Sequence, residues 1–456
     1  MAGLAALRKC GAMSGFVLGV YAGLMRLAQP LLRCKMIRRA MQEPGYGEAV
    51  EERFGHYTQP PETSSSLVWL HAVSLGETRT AAVLLKTLRE QHPGLRILLT
   101  HGTATGRREG RALLQPGDVQ VWQPWDTHVV VERFFEHFKP RLGLLMETEI
   151  WPCTVAAAKA RNIPMVLING RLSEKSLQQA LTMSPLAYPA YAALTAIYAQ
   201  TAADAIRYRK LGVEIEGVFG NLKFDAAPNA DQQAIGKVWR KGLSQPVVMF
   251  ASSREGEEAL FLEQIIATTQ QKRAQAAPDF IVIKWLIVPR HPQRFDEVAM
   301  LVEQSGLTLS RRSSWLGSPF ENTDAMQADV WLGDTLGEMP LYYALADVAL
   351  LGGSFEKFGG QNLIEAAACG CPVVMGPHTF NFLEAAELAE AAGAAQRVTD
   401  MADAVTWAAK CVSNVQEKSR MSHAALAFAA SHRGATQRTV NALGAYLSNA
   451  ATSADR

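Results

Sequence analysis

Short apolar runs alternate with helical patterns along most of the 456-residue chain, and this alternation restricts its fold more than any other feature. A first series of strand-like runs occupies residues 67–70, 95–100, 119–122, 142–146, 165–168, 194–199 and 214–219. A second series occupies residues 246–250, 280–288, 330–332, 348–351 and 372–375. Strands that alternate with helices predict parallel sheets with helices on both faces, so the predicted fold class is α/β.

The two series predict two domains, and the length also exceeds that of one ordinary domain. We place a membrane anchor at residues 1–40, one α/β domain at 41–235, and a second at 236–456 that includes the C-terminal helices. Clefts between domains are favoured ligand sites, so a site is expected where the two domains face each other.

The predicted anchor is apolar or small from residue 11 to residue 32, apart from Arg26, Gln29 and Pro30. This run leads into further basic residues and not into a small-x-small cleavage site, which argues against a cleaved signal peptide. An uncleaved signal-anchor fits better, either as a short span or as a helix in the interface. The basic residues that follow predict that the body lies on the cytoplasmic face of the membrane.

Composition and missing motifs exclude several classes of protein. The formal charge of +2 is close to balance and gives no support for a nucleic-acid partner. The six cysteines form no CxxC pair, so free buried thiols are expected and a zinc site is not. Neither GxxxxGK[ST] nor a GxGxxG fingerprint is present, which disfavours a Walker-type ATPase and a dinucleotide oxidoreductase. No Asp-x-Asp pair is available to hold a metal on a nucleotide diphosphate, and a donor with one phosphate would not need that metal.

The turn at residues 71–77 is the main candidate for chemistry in the first half. It joins a strand to a helix, and in open α/β sheets such turns lie at the carboxyl edge, where ligands bind. Gly76 would let the backbone turn tightly or approach a ligand. Glu77 would lie in the first helical turn, either as a functional acid or as a charge that only complements the helix dipole.

Other polar turns follow neighbouring strands of the first half. Glu147 and Glu149 come directly after the strand 142–146, and Arg171 follows the next strand. These carboxylates could bind sugar hydroxyls or a cationic partner, although Glu149 could equally be a charge at a helix start. With Ser74 and Gly76, they are candidates for acceptor binding.

The second half contains turns that suit an anion. Ser252 and Ser253 end a strand and precede a helix, which is a candidate phosphate site, although Ser253 could be a plain N-cap. Arg290 lies at the end of the next strand, and its guanidinium could form a bidentate hydrogen bond with phosphate. Two glycine pairs, at 352–353 and 359–360, bracket a loop whose amides could cradle phosphate before a helix that carries Glu365.

Taken together, these motifs resemble the bacterial lipid A Kdo (3-deoxy-D-manno-octulosonic acid) transferase family. The resemblance extends from the anchor to about residue 400, and it rests on residues 71–77, 146–152, 220–225, 255–258, 288–292, 333–338, 359–362 and 375–382. It implies a GT-B fold, in which two Rossmann-like domains face a cleft. The first would take the lipid acceptor and the second the donor, CMP-Kdo.

The resemblance also implies roles for single residues. Glu77 matches the family's catalytic base. The positions that match donor (CMP) contacts are Pro289, Arg290, Leu336, Gly337, Glu338, Asn362, Leu363, Ile364 and Glu365. The family often has Asn-Pro-Leu-Glu where this chain has Asn-Leu-Ile-Glu at 362–365, which removes a fixed φ and adds an N–H. Asn362 and Glu365 keep their places, so donor binding is expected to survive.

The resemblance therefore predicts an inverting glycosyltransferase of lipopolysaccharide biosynthesis. It would move Kdo from CMP-Kdo to a lipid A precursor (lipid IVA) at the cytoplasmic face of the bacterial inner membrane, with no metal or other cofactor. The expected partners are the donor, the lipid acceptor and the membrane surface. Two alternatives stay open: another GT-B enzyme, such as a UDP-sugar transferase or epimerase, and a non-catalytic membrane-anchored binding module.

Overall fold

The computed structural model describes residues 10–63, 65–274 and 281–448. The first nine residues of the predicted anchor, and Phe280 at the start of a predicted strand, lie outside these ranges. The chain divides into two compact units, one made of Met1–Asp225 with Arg433–Arg456 and the other of Ala226–His432.

The first unit is built on a seven-stranded parallel sheet of the order β3-β2-β1-β4-β5-β6-β7. The strands are β1 Leu67–His71, β2 Arg96–His101, β3 Val119–Trp122, β4 Leu142–Met146, β5 Met165–Gly170, β6 Ala196–Ala199 and β7 Gly217–Val218. Its helices before residue 226 are α1 Cys10–Leu27, α2 Gln29–Gln42, α3 Leu75–Gln91, α4 Ala104–Arg111, α5 His128–Phe138, α6 Pro152–Ala160, α7 Glu174–Thr182, α8 Ser184–Ala192 and α9 Ala202–Lys210. All seven predicted runs are strands, and the strand order reverses between β1 and β4.

That reversal places the topological switch point of the sheet between β1 and β4, where α/β folds bind ligands. Both strands are buried along their whole length because helices cover both faces of the sheet. Their apolar side chains are divided between two cores, and Trp69 of β1 also donates its indole N–H to Thr100 Oγ1 at 2.8 Å. The buried apolar runs of β1 and β4 therefore fix the positions of the strand ends, and the polar turns follow directly after these ends.

The N-terminal helices α1 and α2 form a bent pair. Their axes differ by 48°, and the bend coincides with Pro30, which is tolerated in the first turn of α2 but would interrupt one continuous helix. Along the described chain, no single helix is long and apolar enough to span a membrane. The bent pair taken together has the length and apolar composition that a span requires. Large apolar side chains on the pair are exposed: Phe16, Val20, Leu24, Leu27, Leu31, Ile37 and Met41. Cys34, which was expected to be buried, is also exposed, because α2 leaves most of its surface uncovered.

The second unit contains another seven-stranded parallel sheet, of the order β10-β11-β9-β8-β12-β13-β14. The strands are β8 Val247–Ser253, β9 Lys284–Pro289, β10 Leu309–Arg311, β11 Val330–Leu332, β12 Val348–Leu351, β13 Val373–Met375 and β14 Ala395–Arg397. The helices are α10 Ala230–Gly242, α11 Glu257–Ala274, α12 Phe295–Gln304, α13 Thr323–Gln327, α14 Met339–Leu345, α15 Ile364–Ala368, α16 Leu383–Ala391, α17 Met401–Ser413 and α18 Val415–Ser431. The edge strands β10 and β14 were not predicted, because each is three residues long and partly polar.

The last helix, α19 Ala435–Ser448, packs on the first unit. Its Val440, Leu443 and Leu447 join the apolar core that also contains Leu84 and Leu88 of α3. At the other junction, α10 belongs to the second unit, where a Cβ on Gly236 would lie 2.3 Å from the carbonyl oxygen of Leu341. The division at residues 225 and 433 thus differs from the predicted boundary at 235 and from the assignment of every C-terminal helix to the second domain.

Candidate active site

The turn between β1 and α3 is organised by hydrogen bonds to Glu77. Ser74 is the N-cap of α3, and its Oγ accepts the N–H of Glu77 at 3.4 Å. The Glu77 carboxylate accepts the backbone N–H of Val73 at 2.9 Å and the hydroxyl of Ser74 at 3.1 Å. This is a variant of the capping box, in which the acid at the third helical position turns back over the N-cap. The turn therefore fixes the carboxylate at the carboxyl end of β1.

The environment of Glu77 raises the pKa of its carboxyl group from 4.5 to about 7. Burial is the main cause, and the nearby carboxylates of Glu147 and Glu149 add to it. The bonds from Val73 and Ser74 act in the opposite direction, because they stabilise the charged form. A pKa near 7 suits a general base at neutral pH, and such shifts are concentrated at functional sites.

Gly76 does not have the conformational role predicted for it. Its φ is not positive, and among the described atoms a Cβ at this position would approach only Ser74 Oγ, at 3.9 Å. The turn therefore does not require a glycine here, and Gly76 leaves open space over the helix start. The close contact is instead at Gly106 of α4, where a Cβ would lie 3.0 Å from the carbonyl oxygen of Val73. The local pattern gave no sign of Gly106, because the contact joins α4 to a separate segment, the turn before α3.

Glu147 follows β4 directly and has a left-handed backbone with a φ of 58°. That conformation is strained for a residue other than glycine, and such strain is common at functional sites. Glu147 Oε1 forms an ion pair with Lys223 Nζ at 2.9 Å, and the Glu147 carbonyl accepts the N–H of Arg171 at 3.1 Å. Lys223 lies in the stretch 220–225, which carries part of the resemblance, and the sequence predicted no role for it. The structure thus brings Glu147, Arg171 and Lys223 together.

Glu149 is half-buried, and burial together with the Glu147 charge raises the pKa of its carboxyl group. Glu77, Glu147 and Glu149 interact electrostatically, because the first follows β1 and the other two follow the adjacent β4. The predicted acceptor-side residues of the first unit therefore converge on the switch point of its sheet.

Two buried histidines support the same turn: His71, at the start of the predicted stretch 71–77, and His101, which the sequence did not single out. His71 ends β1 and His101 ends β2, and burial lowers the pKa of His71 to about 3 and that of His101 to about 4. Both imidazoles are therefore neutral at physiological pH. His101 Nδ1 lies 2.8 Å from the carbonyl oxygen of Ala72, and His71 Nδ1 lies 2.8 Å from Thr100 Oγ1. These bonds hold the two strand ends together beneath Glu77.

In the second unit, Ser253 does not cap a helix. It is a buried residue of β8, its hydroxyl donates to Glu258 Oε1 at 2.8 Å, and α11 begins only at Glu257. Ser252, beside it, is half-buried with a φ of 56°. The N–H of Arg290 donates to the Ser253 carbonyl at 3.0 Å, which joins the ends of β8 and β9. Pro289 is buried in β9, whereas Arg290 is exposed.

The glycine-rich loop after β12 is occupied by a carboxylate of the protein itself. Glu257 is fully buried and accepts the N–H groups of Gly353 at 2.8 Å, Phe355 at 3.1 Å and Glu356 at 3.3 Å. It also accepts the N–H of Arg254 at 3.0 Å. These amides are therefore not available to a phosphate, contrary to the prediction for this loop.

The stretch after β11 presents its backbone at the surface. Leu336 is 76% exposed, and no described atom would lie within 4 Å of a Cβ on Gly337, which has a φ of 81°. Glu338 is held in place, because it accepts from Arg312 Nη2 at 2.9 Å and from the Tyr342 hydroxyl at 3.1 Å.

Residues 362–365 lead into α15, a helix of five residues. Asn362 Oδ1 accepts the N–H of Ile364 at 3.1 Å. Leu363 and Ile364 are 1% and 2% exposed, so only their main chain could meet a ligand. Glu365 follows in the first turn of α15. These residues follow β12, and the other predicted donor residues lie at the ends of β8 and β9 or follow β9 and β11, so all of them lie along one carboxyl edge of adjacent strands.

Solved structures share this fold. A glycosyltransferase from Rickettsia africae covers 85% of this chain and 100% of its own, with a TM-score of 0.54 and 12% identity. A UDP-GlcNAc 2-epimerase from Neisseria meningitidis covers 83% of this chain and 99% of its own, with a TM-score of 0.53 and 14% identity. At these identities the likeness shows the fold alone. The two parallel sheets and these neighbours define an α/β protein of the GT-B type, as predicted.

Sequence comparison is more specific. The family described as 3-Deoxy-D-manno-octulosonic-acid transferase (kdotransferase) matches residues 48–226. A 3-deoxy-D-manno-octulosonic acid transferase of Bordetella pertussis is 45% identical over 94% of this chain and 99% of its own length. That of Haemophilus influenzae is 31% identical over 94% of this chain and 98% of its own. The chain therefore belongs to the 3-deoxy-D-manno-octulosonic acid (Kdo) transferase family and is a glycosyltransferase, which confirms the resemblance.

Proposed function

We propose that this protein transfers Kdo from CMP-Kdo to a lipid A precursor, with inversion at the anomeric carbon. The observation that carries the proposal is the Glu77 carboxylate, which is fixed at the switch point of the first sheet with a pKa of about 7. Membership in the Kdo transferase family supports the choice of transferred sugar.

The reaction needs one base. Glu77 takes the proton of an acceptor hydroxyl while that oxygen attacks the anomeric carbon of Kdo, and the bond from this carbon to the CMP phosphate breaks on the opposite face. CMP leaves with the electron pair. A carboxylate has about four lone-pair sites, and Val73 and Ser74 occupy two of them, which leaves capacity for the incoming proton. General-base assistance of this kind contributes about 10²–10⁴-fold in rate.

The second unit would hold the donor. Arg290 is the exposed cation at the end of β9, and there it would stabilise the charge that develops on the departing phosphate. Residues 336–338 and 362–365 would contact CMP, with Leu363 and Ile364 contributing main-chain groups because their side chains are buried. No metal is required by this scheme, since one phosphate with an Arg and amide donors needs no second cation.

The bent pair α1 and α2 would attach the enzyme to the cytoplasmic face of the inner membrane, where a lipid acceptor is found. Its exposed apolar side chains and flanking basic residues support this proposal. Attachment would confine the search for the acceptor to the membrane surface.

The Glu77→Gln variant tests the proposed base. The Gln carbonyl oxygen can still accept the N–H of Val73, so the turn should stay folded while the proton acceptor is lost. We expect Kdo transfer to a lipid A precursor to fall by about 10²–10⁴-fold, with thermal protection by CMP retained. Glu90→Gln is the matched control, because Glu90 is an exposed acid at the other end of α3. Near-normal transfer by folded Glu77→Gln would refute the assignment.

A further inference from the structure

Besides the turn that carries Glu77, the first unit contains a polar pocket that the proposed reaction does not use. It has a volume of about 360 Å³ and lies between the bent helix pair and the start of α5. Its polar lining comes from both sides, with Arg26, Gln29 and Arg33 on the helix pair and His56, His128 and Arg133 on the body. Among the described residues that line this pocket, none is Asp or Glu.

Two of the arginines have charges that no carboxylate offsets. In the described part of the chain, neither Arg26 nor Arg133 forms an ion pair with a carboxylate, and Arg133 Nη1 lies 3.3 Å from His56 Nε2. Arg33 differs, because it forms a two-point ion pair with Glu51, including an Nη2–Oε2 contact of 3.0 Å. The pocket therefore has a positive potential that suits an anion.

Backbone donors at the start of α5 point to the same ligand. This helix has 11 residues, and the pocket is lined by its first three, His128, Val129 and Val130. The first N–H groups of a helix have no partner within the helix, and such a terminus is a ready site for phosphate. The cation-lined wall and the helix terminus thus converge on one space.

The N-cap of α5 provides an independent observation. Thr127 is 3% exposed and lines the pocket, yet in the described residues its side chain neither caps the helix nor reaches any other partner. A buried hydroxyl without a hydrogen bond destabilises the folded protein, because its desolvation is not offset. An oxyanion in the pocket would satisfy Thr127 together with the free N–H groups of α5.

We propose that this pocket binds the phosphate of an anionic membrane phospholipid. The apolar residues exposed on the same helix pair, among them Leu24, Leu27 and Leu31, would contact the acyl region while the phosphate enters the pocket. This proposal rests on the proposed membrane attachment. It adds specific recognition of the headgroup phosphate to the general attraction between basic residues and an anionic membrane. Bending at Pro30 brings Arg26 and Arg33 to the same pocket from two different helices.

The experiment compares two double variants of the full-length chain that remove the same charge. Arg26→Ala with Arg133→Ala changes the pocket, whereas Lys35→Ala with Arg38→Ala removes two exposed basic residues of α2 outside it. Binding is measured by co-sedimentation with phosphatidylcholine vesicles, with and without phosphatidylglycerol and with no acceptor lipid. Each basic residue near an anionic surface strengthens binding by about fivefold whether or not a site exists, so both variants should bind more weakly.

A specific site requires the pocket variant to lose at least about tenfold more affinity than the control, since charge-assisted hydrogen bonds are lost as well. Thr127→Val removes the hydroxyl without changing charge, and we expect it to weaken binding to phosphatidylglycerol vesicles by about 2- to 10-fold. Binding to pure phosphatidylcholine should be the same for Thr127→Val and the unaltered chain. Equal losses in the two double variants, or an unchanged Thr127→Val, would overturn the proposal.

Two further measurements are needed. One distinguishes a lipid headgroup from a soluble phosphate ligand, and the other distinguishes a failure of the headgroup site from a failure of the proposed transfer reaction. Soluble glycerol 3-phosphate at about 1 mM should not displace the vesicles, because it lacks the acyl chains that the exposed apolar residues contact. Displacement at that concentration would assign a soluble phosphate ligand and overturn the lipid assignment. Glu77→Gln should bind vesicles as the unaltered chain does, so a failed transfer assay and a failed headgroup site give different results.

Discussion

Glu77 in the first unit and Glu257 in the second occupy equivalent places, yet they differ in what their carboxylates can do. Each lies near the start of the helix that follows the first strand of its sheet, α3 after β1 and α11 after β8. Glu77 is half-buried and accepts one N–H and one hydroxyl. Glu257 is fully buried and accepts four N–H groups.

The two carboxylates differ in how many lone pairs remain free to accept a further proton or hydrogen bond. Burial raises the pKa of both carboxyl groups, but at Glu257 four backbone N–H groups oppose the shift and fill the lone pairs. Glu257 therefore serves as a structural anion that fixes the glycine-rich loop. Glu77 retains lone pairs and a pKa of about 7, which are the properties of a base. Equivalent positions in two similar sheets thus differ in their capacity to accept a further proton.

The largest effect on folding should follow a change at Glu257. In Glu257→Gln, an NH₂ group would face two of the four N–H donors, and each unsatisfied buried donor costs about 1–3 kcal/mol. We expect the free energy of unfolding to fall by about 2–6 kcal/mol, measured by denaturant titration. Glu77→Gln should change it by no more than about 1–2 kcal/mol, the usual value of a helix cap. Similar destabilisation by the two variants would contradict the distinction between them.

A smaller effect is expected in the pH dependence of transfer. A general base works when ionised, so kcat/KM should rise with pH through about 7, the pKa of Glu77. Glu147→Gln removes a charge that raises this pKa, so the rising limb should move to lower pH, by up to about one unit. The shift is limited because Lys223 already pairs with Glu147. Glu90→Gln should leave the limb in place, and a move to higher pH after Glu147→Gln would contradict the proposed coupling.

The smallest effect should come from metal removal. Neither Glu77 nor Glu257 belongs to a group of three His, Cys, Asp or Glu side chains that could hold a metal within the described chain. We therefore expect EDTA to leave the transfer rate within about twofold of the untreated value, because a single phosphate can be neutralised by Arg290 and amide donors. Loss of activity that Mg²⁺ restores would show that a carboxylate in one of the two units has a metal-binding role.

Local sequence patterns predicted the elements better than their contacts. The apolar runs became the strands of both sheets, because a strand buried on both faces needs a continuous apolar sequence. The place of Glu77 in the first turn of α3 was predicted because the strand-to-helix turn is local. By contrast, the partner of Glu257 lies about 96 residues further along the chain, at Gly353, so no local pattern separates a structural acid from a functional one. The same holds for Gly106, His101 and Lys223, whose roles arise from contacts between distant segments.

The position of α19 also has a consequence for how the protein is made. The core around α3, which carries Glu77, is completed by Val440, Leu443 and Leu447, near the end of the chain. During synthesis the second unit emerges in full before these residues do, while the first unit still exposes the apolar surface that they will cover. Helix α3 would therefore gain this part of its packing late, and a ribosome that stops before Arg433 would release a protein whose second unit is complete while α3 lacks these contacts.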